Sequence, residues 1–88
     1  MIEDVEFDPD VVWLIRHVLS PSERDDFHDA LDAIRAEPIG RSEAIQDPRL
    51  SPYMLRYVEF VGWMIVFEYA PAEGKIRILE CRKRKGGR

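Results

Sequence analysis

The chain has 88 residues, of which 45% are hydrophobic and 34% charged, and a formal net charge of −4. That length fits one domain, and no apolar run approaches the roughly 18–20 residues of a membrane-spanning helix. An acidic total excludes non-specific nucleic-acid binding driven by overall charge. The charge is unevenly placed: residues 1–50 hold 13 acidic and 5 basic side chains, and residues 51–88 hold 4 and 8. Any contact with phosphate must therefore come from the C-terminal part. The start shows no secretory pattern of basic residues before an apolar core. The single Cys81 has no disulfide partner within the chain, which points to a reducing cytoplasm.

Val5-Glu6-Phe7 alternates as a short first strand does. Asp8-Pro9 then opens a helix, with Asp8 as N-cap and Pro9 at the first helical position. This first helix is expected to reach Leu19. At 100° per residue Val11, Val12, Leu14, Ile15, Val18 and Leu19 fill an arc of about 160°. Trp13 falls on the opposite side, between Arg16 and His17. It is either partly covered or an exposed anchor for a partner, since Trp is enriched at binding hot spots.

Ser20-Pro21-Ser22-Glu23 reads as a capping box and starts a second helix that stops before Pro38. Phe27, Ala30, Leu31 and Ile34 form its apolar stripe, and Asp25, Asp29 and Asp32 make its outer side acidic. His17 and His28 lie on different helices, with no Cys pair or metalloprotease spacing beside them, so no metal or cofactor is expected. Residues 38–52 hold three prolines and a glycine and read as a long loop.

From Tyr53 to Lys85 the chain is dense in β-branched and aromatic residues. An unbroken strand to Tyr69 would be too long, so Gly62 is expected to fold it back. Strands are placed at about 53–59, 63–69 and 75–82, with Pro71 and Gly74 in the second turn. Trp63, Ile65, Phe67 and Tyr69 share one face, predicted to pack on the helices; Met64, Val66 and Glu68 share the other. Phe60 and Val61 flank the first turn and either tuck into the core or form an exposed apolar tip. Arg82, Lys83, Arg84 and Lys85 form a basic cluster, with Lys75 and Arg77 on the same strand. The tail 83–88 reads either as solvated and disordered or as a clamp for phosphate or carboxylate.

The order strand, helix, helix, long loop, three strands, together with the A-I-R-A-E-P end of the second helix and the L-R-Y-V…G-W-M-I-V-F-E-Y hairpin, resembles the RelE/ParE superfamily of type II toxin–antitoxin systems. The resemblance implies an α+β fold, β-α-α-β-β-β, with a helical hairpin on one face of an antiparallel sheet. It implies a toxin-like protein with an antitoxin as cognate partner, no membrane, and a possible homodimer. RelE-type relatives cut messenger RNA on the ribosome without a metal, using cations and a proton donor or acceptor. The basic residue that commonly follows the G-aromatic pair is Met64 here. The strand positions that often help are Leu55 and Tyr57, with Arg56 pointing the other way. Arg84, with Arg82, matches a late catalytic arginine, and the C-terminal aromatic acid/base has no counterpart in the 88 residues. Lys75, Arg77, Lys83, Lys85 and Arg56 are the remaining phosphate or carboxylate contacts. Trp13, Phe60, Met64 and Val66 are the expected partner contacts. ParE-type relatives lack the cutting residues and act on DNA gyrase, and a non-toxic binding module on the same scaffold is the alternative.

Overall fold

The computed structural model describes residues 4–45 and 54–83. Strand β1, Asp4–Phe7, leads into helix α1, Pro9–His17, and a three-residue link leads to helix α2, Pro21–Ala36. Both helix starts follow from local chemistry. The Asp8 carboxylate accepts the Asp10 N–H at 3.1 Å, with Pro9 supplying a first position that needs no donor. Ser20 and Glu23 form the full capping box, each side chain accepting the other's backbone N–H, at 2.9 and 3.2 Å. The first helix ends two residues before the expected Leu19. Val18 is its C-cap and leaves the helical spiral, so its side chain is 47% exposed, while Leu19 swings back into the core.

The sheet has five strands. A two-residue strand β2, Glu43–Ala44, lies in the proline-rich stretch and precedes β3, Met54–Phe60, β4, Trp63–Ala70, and β5, Lys75–Lys83. Their order across the sheet is β1-β5-β4-β3-β2. The α+β class and the helix-on-one-face layout match the sequence expectation. Two details differ. The β2 strand was not anticipated, being too short to carry a pattern. And β1 pairs parallel to β5, Val5 beside Ile76 and Phe7 beside Ile78, so the sheet is mixed. A parallel pair needs a long crossover, and here everything between the two strands supplies it.

The register assigns the faces. Trp63, Ile65 and Phe67 on β4 lie opposite Lys83, Cys81 and Ile78 on β5 and opposite Phe60, Val58 and Arg56 on β3. This face meets the helices: Phe27, Ile34, Ile65, Phe67, Ile76 and Ile78 are fully buried in one cluster with Val11 and Trp63. A bulge interrupts β5, because Val66 pairs with Glu80 but Phe67 with Ile78, leaving Leu79 unpaired. The extra residue lets Ile78 and Cys81, three apart, both reach the core. Met64 lies on the side away from the helices.

Candidate binding face

The face of the sheet opposite the helices is a set of cross-strand rows. Glu59, Met64 and Arg82 form one, Tyr57, Val66 and Glu80 the next, and Leu55, Glu68 and Arg77 the third. Side chains opposite one another on one face are close enough to interact. Met64 thus sits between a carboxylate and a guanidinium. The row below it is apolar at its centre, where Val66 is only 6% exposed. The Tyr57 hydroxyl donates to Glu43 Oε1 at 3.1 Å, which ties the short β2 edge to this face.

Among the described residues the predicted cations do not converge on one point. Lys75 and Arg77 both meet Glu6, at 3.1 and 3.6 Å, and these two cations hold the Glu6 carboxyl below its ordinary range, Lys75 contributing most. They belong to the far end of β5 from Arg82, with Arg77, the nearer, five residues or ~16 Å along the strand. Arg82 is exposed on the open face, with Glu80 Oε2 at 3.9 Å. Its neighbour Lys83 faces the opposite way, beside Trp63, and helps to hold the Glu23 carboxyl low. Alternation along the strand therefore divides this pair. Arg84 and Lys85 lie outside the described residues.

Arg56 points to the helix side, as its strand position predicts. Its guanidinium donates to the Ser42 hydroxyl, to the Ser42 carbonyl at 2.9 Å and to the Ile39 carbonyl at 3.4 Å. It pins the proline-rich loop, which sequence reasoning did not foresee. Ser42 itself donates to the Pro38 carbonyl.

Of the four expected partner contacts, Phe60 is withdrawn: it is buried edge-on against Phe27, with ring centroids 5.8 Å apart. The exposed residue of that turn is Val61, at 66%. Trp13 is 60% exposed and lies against His17, ring centroids 5.1 Å apart, while His28 stands edge-on to Phe27. Met64 and Val66 both lie on the open face, half-buried and buried respectively. Among the described residues no cluster of three or more His, Cys, Asp or Glu side chains is arranged to hold a metal ion. Among the same residues no helix is long and apolar enough to cross a membrane.

No family model and no curated protein matches the chain. Solved structures do. A chain of the archaeal RelE–RelB complex from Pyrococcus horikoshii OT3 aligns with a TM-score of 0.84 at 16% identity, covering 99% of this chain and 100% of that one. The isolated E. coli RelE toxin aligns at 0.76 and 14% identity, covering 96% of this chain and 86% of that one. The chain has a RelE-like fold. On this RelE-like frame the open face carries Met64, Val66 and Leu55 flanked by carboxylates, with the exposed Arg82 opposite Met64 and the exposed Arg77 opposite Glu68.

Proposed function

We propose that this chain is the toxin-type member of a toxin–antitoxin pair, a growth inhibitor that a dedicated partner polypeptide neutralises in the cytoplasm. The observation that carries the reading is the RelE-like fold itself, which extends over 99% of the chain and is shared with a chain of a RelE–RelB complex. A protein target such as DNA gyrase suits the open face better than messenger RNA on the ribosome. Stabilising a phosphorane needs several cations aimed at one point. Among the described residues Lys75 and Arg77 share Glu6, Arg56 holds a loop, and Arg82 has Glu80 beside it.

Inducible expression in bacteria, with and without a candidate partner encoded beside this chain, tests the assignment. Growth arrest that the partner relieves, with gyrase supercoiling inhibited and messenger RNA intact, is the expected result. Cuts at ribosomal A-site codons would move the target to the ribosome. Harmless expression without any partner would instead favour a non-toxic binding module, the reading that the exposed Trp13 and Val61 support.

A further inference from the structure

Strand β1 covers only the first part of the outer edge of β5. It pairs with Lys75–Ile78, and the Asp8 N–H adds a last bond to the Ile78 carbonyl at 2.9 Å before the chain turns into α1. Residues 79–83 continue for five more positions, with Leu79 in the bulge and Glu80–Lys83 paired with β4 on one side. Among the described residues nothing pairs with their other side. An unpaired edge is a template for a further strand.

Where β1 leaves off, a groove of about 530 Å³ opens between the start of α1 and the bulged part of β5. Val11, Leu14, Val66 and Leu79 contribute apolar lining, and Asp8, Asp10 and Glu80 contribute carboxylates. The two features are adjacent: Leu79 and Glu80 belong to both the free edge and the groove. Hydrogen-bonding capacity along an edge, with an apolar trough beside it, is how sheets take up extended peptides.

We propose that this edge accepts an extended partner segment of alternating apolar and Lys or Arg residues, added in line with β1. Five free positions span about 16 Å, which sets the segment at four to six residues. Its backbone would bond to 79–83. Every second side chain would enter the trough, and the basic ones would meet Asp8, Asp10 and Glu80. The charge of those three carboxylates selects the occupant. An acidic strand would be repelled, and a second copy of this chain would bring the same three carboxylates to the same place. If the chain has a neutralising partner, as proposed above, such a segment would be one of its strands; the edge is nevertheless testable without that partner.

The test uses the full isotope-labelled chain and a capped eight-residue peptide of alternating valine and lysine. Control peptides alternate valine and glutamate, or carry a central proline. Amide exchange at 79–83 and the methyl signals of Val66 and Leu79 are followed by NMR. Saturating valine–lysine peptide is expected to slow exchange of the edge amides at least tenfold and to shift both methyl groups. Neither control should do so, and Glu80→Lys combined with Asp10→Asn should weaken binding at least tenfold. Four results would overturn the assignment: unchanged exchange at 79–83, equal binding of the valine–glutamate peptide, protection confined to the β2 edge, or protection that grows with protein concentration alone. Growth arrest relieved by a partner, with this edge unprotected, would sink only the edge assignment. Edge protection in a protein whose expression is harmless would sink only the toxin reading.

Discussion

The turn between β3 and β4 offers a measurement in which local strain is the whole effect. Val61 has φ +34° and Gly62 φ +84°. Two consecutive positive φ values define the tight hairpin turn that favours Asn-Gly. A β-branched residue is poorly suited to that position, because its Cβ crowds the following carbonyl at a cost of roughly 1–2 kcal/mol. Asparagine visits the same region several-fold more readily. Val61 is 66% exposed, so replacing it sacrifices little burial. Val61→Asn is therefore expected to stabilise the protein by about 1 kcal/mol. In a domain of this size that raises the unfolding midpoint by about 4–8 °C, readable by circular dichroism. Gly62→Ala is the counterpart. A Cβ at Gly62 meets nothing within 4 Å, so any loss is backbone strain, expected at about 1 kcal/mol or more. A midpoint that is unchanged or lowered by Val61→Asn, alongside a destabilising Gly62→Ala, would refute the reasoning. Val61 would then be held by a side-chain contact stronger than its backbone penalty.

Phe27→Ala, at the centre of the core, should cost about 3–5 kcal/mol in denaturant unfolding, whereas Trp13→Ala on the exposed side of α1 should stay within about 0.5 kcal/mol. The Glu23 carboxyl is held below its ordinary range, first by the Ser20 backbone N–H and then by the Trp63 indole, which donates to Glu23 Oε2 at 2.8 Å. A depressed carboxylate stabilises the fold above its unfolded pKa, near 4.3, and loses that contribution as pH falls through the lower folded value. Trp63 fluorescence should therefore change on acidification before the far-UV signal does, and Glu23→Gln should remove that early step. Burial, with Glu23 and Glu80 adding to it, pushes the Cys81 thiol up to about 12. A thiol reagent at pH 8 should leave Cys81 untouched in the native protein and label it fully in denaturant; rapid labelling under native conditions would mean that β5 opens easily.

Much of the fold could be read from residue order because the signals are local. Asp8-Pro9 and Ser20-Pro21-Ser22-Glu23 start helices through contacts within four residues, and both caps form as spelled. Gly62 and Gly74 turn the chain with positive φ, as only a residue without Cβ does freely. The alternation Trp63, Ile65, Phe67 assigns the buried face of β4 without reference to any other strand. What could not be read depends on register. The parallel docking of β1 on β5, the bulge at Leu79 and the two-residue β2 leave no periodic trace, since each is settled by a strand far away in sequence.

The candidate site suffers most from this, and Glu6 shows why. In the sequence Arg82, Lys83, Arg84 and Lys85 read as one basic cluster with Lys75 and Arg77 on the same strand, and Glu6 stands about 70 residues away on a strand of its own. The register places Glu6 beside Arg77 and within 3.1 Å of the Lys75 ammonium, so those two cations form a mixed-charge patch with it. Strand alternation then sends Arg82 and Lys83 to opposite faces. A row of positive letters becomes a phosphate-binding site only when its charges share a face and lack carboxylates of their own. Among the described residues Lys75, Arg77 and Arg82 share the open face, but each has a carboxylate close by, Glu6 for the first two and Glu80 for the third. What remains at the centre of the open face is Val66 with Met64 and Leu55 around it, and Glu59, Glu68 and Glu80 in the flanking cross-strand positions. Apolar surface bordered by acids recognises a polypeptide with greasy and basic side chains far better than it recognises a nucleic acid. The same physical preference recurs at the free edge of β5, where Asp8, Asp10 and Glu80 border Leu14 and Leu79. One kind of partner chemistry, a polypeptide with apolar and basic side chains, thus suits both surfaces.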